Sequence, residues 1–337
     1  MLVPVAAVAL AAGSLSGSLR AEPSGAGIET AMPAPYFAQG QVPPRRWLRE
    51  SRPLAADAPG WARRMYASSL LVLRALTNPR TGAEIAGARP GWEYVWPRDA
   101  SAGAIALAAS GHMEDARGVV GFLLSLDLGA AARFEPNGDP VPWRPAAGDA
   151  TGWVAAAAQA TGLPAPSRSD WRGRQDYAEN IEGDLLGNAI AAGAPDVVAR
   201  FETPGGLVRE PGAADLDSAA AWGVVPFQRP GLAAPAQKTL LSLSAESSRF
   251  GIAPTEAWTA GQAWTAPTAW SAWALARLGD WRAADRLLAE LRRAATPAGM
   301  LPERVSSTDG RPLSTTPLAW SHAFAALALL ERYPRGG

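Results

Sequence analysis

The segment Ala106-Leu107-Ala108, followed by Gly111 and Ala116, returns later as Ala274-Leu275-Ala276, followed by Gly279 and Ala284. Each copy reads as a helix, a glycine stop, a short turn and a second helix with small residues on its buried face. Asp280 directly after Gly279 fits an N-cap placed straight after a C-cap. Ala189 to Gly193, then Asp196 to Phe201, is a looser third copy. One such αα-hairpin cannot bury its apolar face alone, so the copies must stack as a solenoid or close into a ring. Helical patterns cover roughly 60–77, 99–110, 114–127, 151–161, 183–193, 215–224, 236–247, 265–278, 280–294 and 317–333. Strand signals are confined to short pieces near Leu207-Val208 and Met300-Leu301, with no long alternation of β-branched residues. The pattern predicts an all-α chain. Long connections such as 131–150 and 162–180 belong on one face, where loops carry function. These uneven loops, together with tryptophans in loop-like sequence, favour a closed ring with a pocket.

Composition excludes several functions. The 337 residues carry 31 Lys and Arg against 31 Asp and Glu, so no basic face is available to displace counterions from nucleic acid. Cysteine is absent and the histidines are His112 and His322 alone, which removes a disulfide framework and the usual zinc sites. No Asp-rich calcium loop is visible. No metal and no cofactor is therefore expected. Fourteen tryptophans exceed ordinary core needs and point to a stacking surface. Residues 2–13 form an apolar run too short to span a bilayer but of the length of an export-signal core. Residues 1–25 are thus read as a signal peptide or membrane-proximal segment of an exported protein without an integral membrane domain, although no positive residue precedes the run. Residues 26–58 read as a Pro/Gly-rich arm and 59–334 as the helical domain.

Two stretches carry chemistry. Trp92-Glu93-Tyr94-Val95-Trp96-Pro97-Arg98-Asp99 stands where a loop enters a helix. Aromatic faces can stack on the C–H face of a sugar while Arg and Asp bond its hydroxyls. The plainer alternative makes the tryptophans core and Asp99 an N-cap. The second stretch is Gly299-Met300-Leu301-Pro302-Glu303-Arg304-Val305, with Thr316-Pro317-Leu318-Ala319-Trp320-Ser321-His322 beyond it. A carboxylate in that loop, flanked by apolar residues, has the setting of a general base. The alternative is a surface Glu303 paired with Arg304.

In order and context, Tyr94-x-Trp96-x-Arg98-Asp99, Leu301-Pro302-Glu303 and Pro317-Leu318-x-Trp320-Ser321-His322 resemble glucoamylase-type glycoside hydrolases, family fifteen. Gly148-Asp149-Ala150-Thr151-Gly152-Trp153, the run from Asp215 to Phe227, Ser248-Arg249-Phe250, Gly261-x-x-Trp264 and Thr268-x-Trp270 extend the likeness over roughly 60–333. The resemblance implies an (α/α)6 toroid of αα-hairpins with an N-terminal extension. It implies release of a terminal sugar from α-glucosidic oligosaccharides by inversion. It assigns Glu303 as general base, Arg98 and Asp99 to hydroxyls of the terminal sugar, Trp96 to a pocket wall and Trp320 to the pocket behind the base. Arg249 would contact the same or the next sugar, and Tyr94, Trp153 and Trp264 would line the site. Inversion also needs an acid about 6.5–9.5 Å from the base. Aligning Asp170-Trp171 with the family's acid motif puts Arg172 in the acid's place; aligning Asp176-Tyr177-Ala178-Glu179 keeps Glu179, with Glu182 as the second candidate. The chain is then either a working hydrolase or a weak or inactive relative, a pseudoenzyme that binds carbohydrate.

Overall fold

The computed structural model describes residues 44–142, 144–167, 170–179, 184–258 and 260–335. The segment 1–25, most of the 26–58 arm and Glu182 lie outside the described residues. The helices are α1 (Pro44–Arg49), α2 (Gly60–Leu76), α3 (Pro97–Ala109), α4 (Met113–Leu124), α5 (Ala150–Thr161), α6 (Leu186–Ala192), α7 (Val197–Phe201), a 3-10 helix (Ser218–Gly223), α8 (Ala233–Ala245), α9 (Thr265–Arg277), α10 (Trp281–Ala294) and α11 (Ala319–Arg332). Two small antiparallel pairs complete the inventory: β1 (Glu202–Thr203) with β2 (Gly206–Leu207), and β3 (Gln262–Trp264) with β4 (Arg304–Ser306).

Six elements close a ring. Each packs on the next in the order α11, α3, α5, α6, the 3-10 helix, α9 and back to α11. The fold is an (α/α)6 toroid. Its inner helices are Ala-rich and buried on nearly every side, as close helix approach within a ring requires. Outside lie α2, α4, α7, α8 and α10. The last has Leu287, Leu288 and Leu291 inward and its arginines outward, the stripe of a helix with one wet face. Between α5 and α6, the described part of 162–185 forms no outer helix.

The glycine stops sit where the repeat puts them. Gly162 and Gly193 are left-handed C-caps of α5 and α6, at φ 71° and 68°. Asp280 caps α10 by accepting from the Ala283 N–H at 3.1 Å. These tight turns lie at the C-terminal ends of the inner helices. The long connections therefore gather at the opposite end, over the inner N-termini.

The ring's centre is filled by aromatics. Trp153, Trp222, Trp270, Trp320 and Phe324 meet largely edge to face, at centroid separations of 5.1 Å for Trp153–Trp222, 5.4 Å for Trp222–Trp270 and 5.2 Å for Trp270–Trp320. Much of the tryptophan excess is thus a central plug rather than a stacking surface. Residues 44–58 pack on the body. Trp47 stacks on His112 at 3.5 Å, and the Arg52 and Ala55 N–H groups bond the Ser110 and Tyr333 carbonyls.

Candidate active site

The N-termini of the inner helices converge on one end of the ring. Helix α3 begins at Pro97, with Trp96 as its N-cap, so Asp99 is the third helical residue and makes no cap bond. The N-cap alternative for Asp99 therefore falls. Pro at the first helical position has its φ preset and loses no needed donor, which fixes the start two residues earlier than the apolar periodicity implies.

Arg98 and Asp99 are 7% and 6% exposed. The Arg98 guanidinium lies 4.7 Å from the Trp320 ring centre, donates to Asp149 Oδ2 at 3.0 Å, and has its Nε 3.5 Å from Asp99 Oδ2. Burial works against its charge, but Asp149 and Asp99 hold its pKa above the ordinary arginine value. Asp149 stands at the N-cap of α5, fully buried. Sequence reasoning noted its segment but not its role; Gly148-Asp149 directly before an Ala-rich helix was the available signal.

Burial pushes the Asp99 carboxyl up to about 7; Arg98 opposes the shift, while the negative charges of Asp149 and Glu303 add to it. Its Oδ2 is covered and accepts no hydrogen bond. One turn below on the same helix face, Gly103 leaves a notch for the buried Glu84 carboxyl, and a methyl group there would stand 2.0 Å from Glu84 Oε1. Burial lifts the Glu84 pKa well above the usual carboxylate range, and the charge of Asp99 lifts it further.

Glu303 comes from the loop between α10 and α11, and α11 is the neighbour of α3 in the ring. It precedes β4, its N–H donates to the Thr315 carbonyl at 2.9 Å, and its carbonyl accepts from Thr265 N at 3.1 Å. His322 Nε2 accepts the Leu301 N–H at 2.9 Å and its Nδ1 lies 3.0 Å from Ser69 Oγ, so a neutral histidine pins the loop that carries Glu303. The Glu303 side chain is half-buried. Burial raises its pKa, and the charge of Glu179 adds to the rise; the Ser314 hydroxyl, Arg304 and the Trp92 indole oppose it. The Ser314 hydroxyl donates to the carboxylate. The ion pair of a surface Glu303 with Arg304 is not formed; the Arg304 guanidinium instead lies 5.4 Å from the Trp264 ring centre.

The acid candidates separate. Arg172 is exposed, lies over the Trp171 ring at 4.8 Å and reaches Asp184 at 3.8 Å. Glu179 is exposed at the rim, in a left-handed conformation at φ 64°, and ion-paired to Arg144. Its turn is braced from behind. Asp176 accepts from Ala178 N at 2.9 Å and is ion-paired to Arg209. Tyr177 donates to Asp217 at 2.7 Å.

The remaining sequence-predicted residues divide. Tyr94 and Trp96 are half-buried and meet edge to face at 6.1 Å beside the Arg98-Asp99 pair. Trp320 packs against Arg98 and the central plug. Trp264 is half-buried against Trp258 at 5.2 Å. Trp153 is 0% exposed, so it supports the ring and has no surface to offer a sugar. Arg249 is exposed and lies over Phe250 at 5.1 Å. Among the described residues no group of acid, histidine or cysteine side chains converges to hold a metal, and no helix is long and apolar enough to cross a membrane.

No family model matches this sequence, and no curated protein matches it. Solved structures do. A glycosidase superposes with TM-score 0.68 at 20% identity, covering 81% of this chain and 97% of its own. A variant of that glycosidase was solved in complex with glucose. A bacterial glucoamylase complexed with acarbose gives TM-score 0.68 at 14% identity, over 86% of this chain and 57% of its own. The glucoamylase of Saccharomycopsis fibuligera gives 0.60 at 14%, over 83% and 96%. The chain has the fold of the glycosidases and glucoamylases.

Proposed function

We propose that the chain is a glycoside hydrolase of glucoamylase type, releasing a terminal sugar from α-glucosidic oligosaccharides by inversion. The observation that carries this is the convergence of a half-buried Glu303, from the loop before α11, on the buried Arg98-Asp99 unit at the start of the neighbouring α3. Glu303 and Asp99 come from distant parts of the chain, yet the charge of Glu303 helps hold the Asp99 carboxyl at about 7. Glu303 takes a proton from water as general base. A raised pKa brings a carboxylate nearer the operating pH, which favours that work. Arg98 and Asp99, 7% and 6% exposed and ion-paired to each other, are the residues proposed to bond hydroxyls of the terminal sugar. Tyr94 and Trp96 supply the apolar wall. The glucose and acarbose complexes of fold neighbours support a sugar ligand. Export, if the 2–13 run acts as a signal, fits an enzyme of oligosaccharides.

One observation favours the alternative of a weak or inactive carbohydrate binder. Glu179, the surviving acid candidate, is exposed and bound to Arg144. A carboxylate committed to a cation is poorly placed to protonate a leaving oxygen.

α-Glucosyl fluoride and maltose separate these cases, because fluoride leaves without protonation and a sugar alkoxide does not. With Glu179 as acid, maltose is hydrolysed, and Glu179→Gln harms maltose far more than fluoride, within the roughly hundredfold to ten-thousandfold that an acid supplies. Without a working acid, only the fluoride is hydrolysed and Glu179→Gln changes little. In both cases Glu303→Gln abolishes fluoride turnover and leaves sugar affinity within a few fold. Inertness toward both substrates with sugar still bound refutes hydrolysis and leaves the binding protein.

A further inference from the structure

The connection between α4 and α5 returns alongside the loop that enters α3. Val95 and Phe134 exchange both backbone hydrogen bonds, each at 2.8 Å, in an antiparallel bridge. Both side chains are fully buried. Their neighbours Tyr94, Trp96, Arg133 and Glu135 therefore point to the other face, since side chains alternate along extended backbone. That face carries the proposed pocket wall. Arg133 lies across from Trp96 in this register, with its guanidinium 4.3 Å from the Tyr94 ring centre and 5.2 Å from that of Trp96.

Arg133 is unusual in what it lacks. Its Nε is covered and has no acceptor. Among the described residues no carboxylate forms an ion pair with it, although Glu135 and Glu179 are near enough for their charges to be felt. The like charge of Arg144 adds to burial in lowering the Arg133 pKa. Arg144 in turn is bound to Glu179, the acid candidate of the proposed function. Arg133 is thus held by aromatic faces alone, with the Arg144–Glu179 pair near enough for both charges to be felt. An unpaired, half-covered guanidinium is costly unless a ligand completes it.

We propose that Arg133, with Arg144 beside it, seats an anionic group carried by the sugar on the leaving side of the scissile bond. The substrate class is then an oligosaccharide whose neutral terminal sugar is joined to an acidic one, bearing a carboxylate or a phosphate. The planar donor fork of Arg133 fits either oxyanion, and its aromatic backing leaves that fork free. The inference rests on the sugar-binding function proposed above, so its test carries glucose as a control.

Calorimetry in the Glu303→Gln background keeps the ligands intact. The probes are glucose, maltose, maltobionate, whose second unit carries a carboxylate, and maltose phosphorylated at its reducing end. At least one anionic ligand is expected to bind on the order of tenfold more tightly than maltose, as one charged hydrogen bond supplies. Which one gains identifies the group as carboxylate, phosphate or both. The gain should shrink as salt is raised. It should vanish in Arg133→Gln and return in part in Arg133→Lys, with melting curves confirming that both variants fold. Equal affinity for maltose and both anionic ligands overturns the proposal, as does a preference that survives Arg133→Gln; Arg133 is then only a brace for Tyr94 and Trp96. If glucose itself fails to bind, the sugar-binding function falls first; if glucose binds and the anionic gain is missing, the anion seat alone is refuted.

Discussion

Asp99→Asn is expected to remove a pH dependence of stability that runs opposite to the usual carboxylate case. The folded Asp99 carboxyl titrates at about 7, against 3.8 for an ordinary aspartate. That difference of about three pH units corresponds to about 4 kcal/mol. Between these values the folded chain holds the proton and the unfolded chain does not. The contribution is therefore fully present below about pH 4 and is lost as the pH rises to 7. Asparagine has nearly the same shape and is neutral throughout. Urea unfolding of both proteins across a pH series should show the Asn variant gaining about 4 kcal/mol on the wild type between about pH 4 and pH 8. Glu84, Glu303 and His322 titrate in both proteins, so most of their effect drops out of the difference. An ordinary helix N-terminal aspartate gives the opposite sign, since its charge favours the helix by about 0.3–1 kcal/mol and the Asn variant then loses ground at high pH. A flat difference, or one of that second kind, refutes the burial of Asp99 under the site.

Further outcomes follow from the same geometry. Ser314→Ala removes a hydrogen bond that lowers the Glu303 pKa; the acidic limb of the kcat/KM profile should move to higher pH, and an unmoved limb disconnects Ser314 from the base. His322 is held neutral, its pKa lowered by burial from 6.5 to about 3. Its contribution is complete above 6.5 and is lost as the pH falls toward 3, so the deficit of His322→Gln relative to wild type should shrink by about 3 kcal/mol between about pH 7 and pH 4, as read from urea unfolding. Chelation should leave any turnover unchanged; loss of activity in EDTA with recovery on adding zinc contradicts a mechanism built on carboxylates alone.

The amino-acid sequence by itself determined the all-helical chain, because a 3.6-residue period, alanine-rich faces and glycine stops act over a few residues. The stops at Gly162, Gly193 and Gly279 and the cap at Asp280 stand where that local logic puts them. Arg98, Asp99 and Glu303 were legible as polar residues set in otherwise apolar stretches. The start of α3 was not, because a proline at the first turn overrides the apolar period. Only the tertiary structure decided which tryptophan meets solvent. Trp96 stays half-buried near the mouth while Trp153, in equally suggestive sequence, is locked in the central plug. It also laid Arg249 over Phe250, supplied Asp149 behind Arg98, and left the described part of 162–185 without an outer helix. Burial and charge are properties of neighbours brought together from across the chain. The Asp99 carboxyl is held at about 7 by burial and by Asp149 and Glu303 acting against Arg98, and no short window of sequence contains that sum.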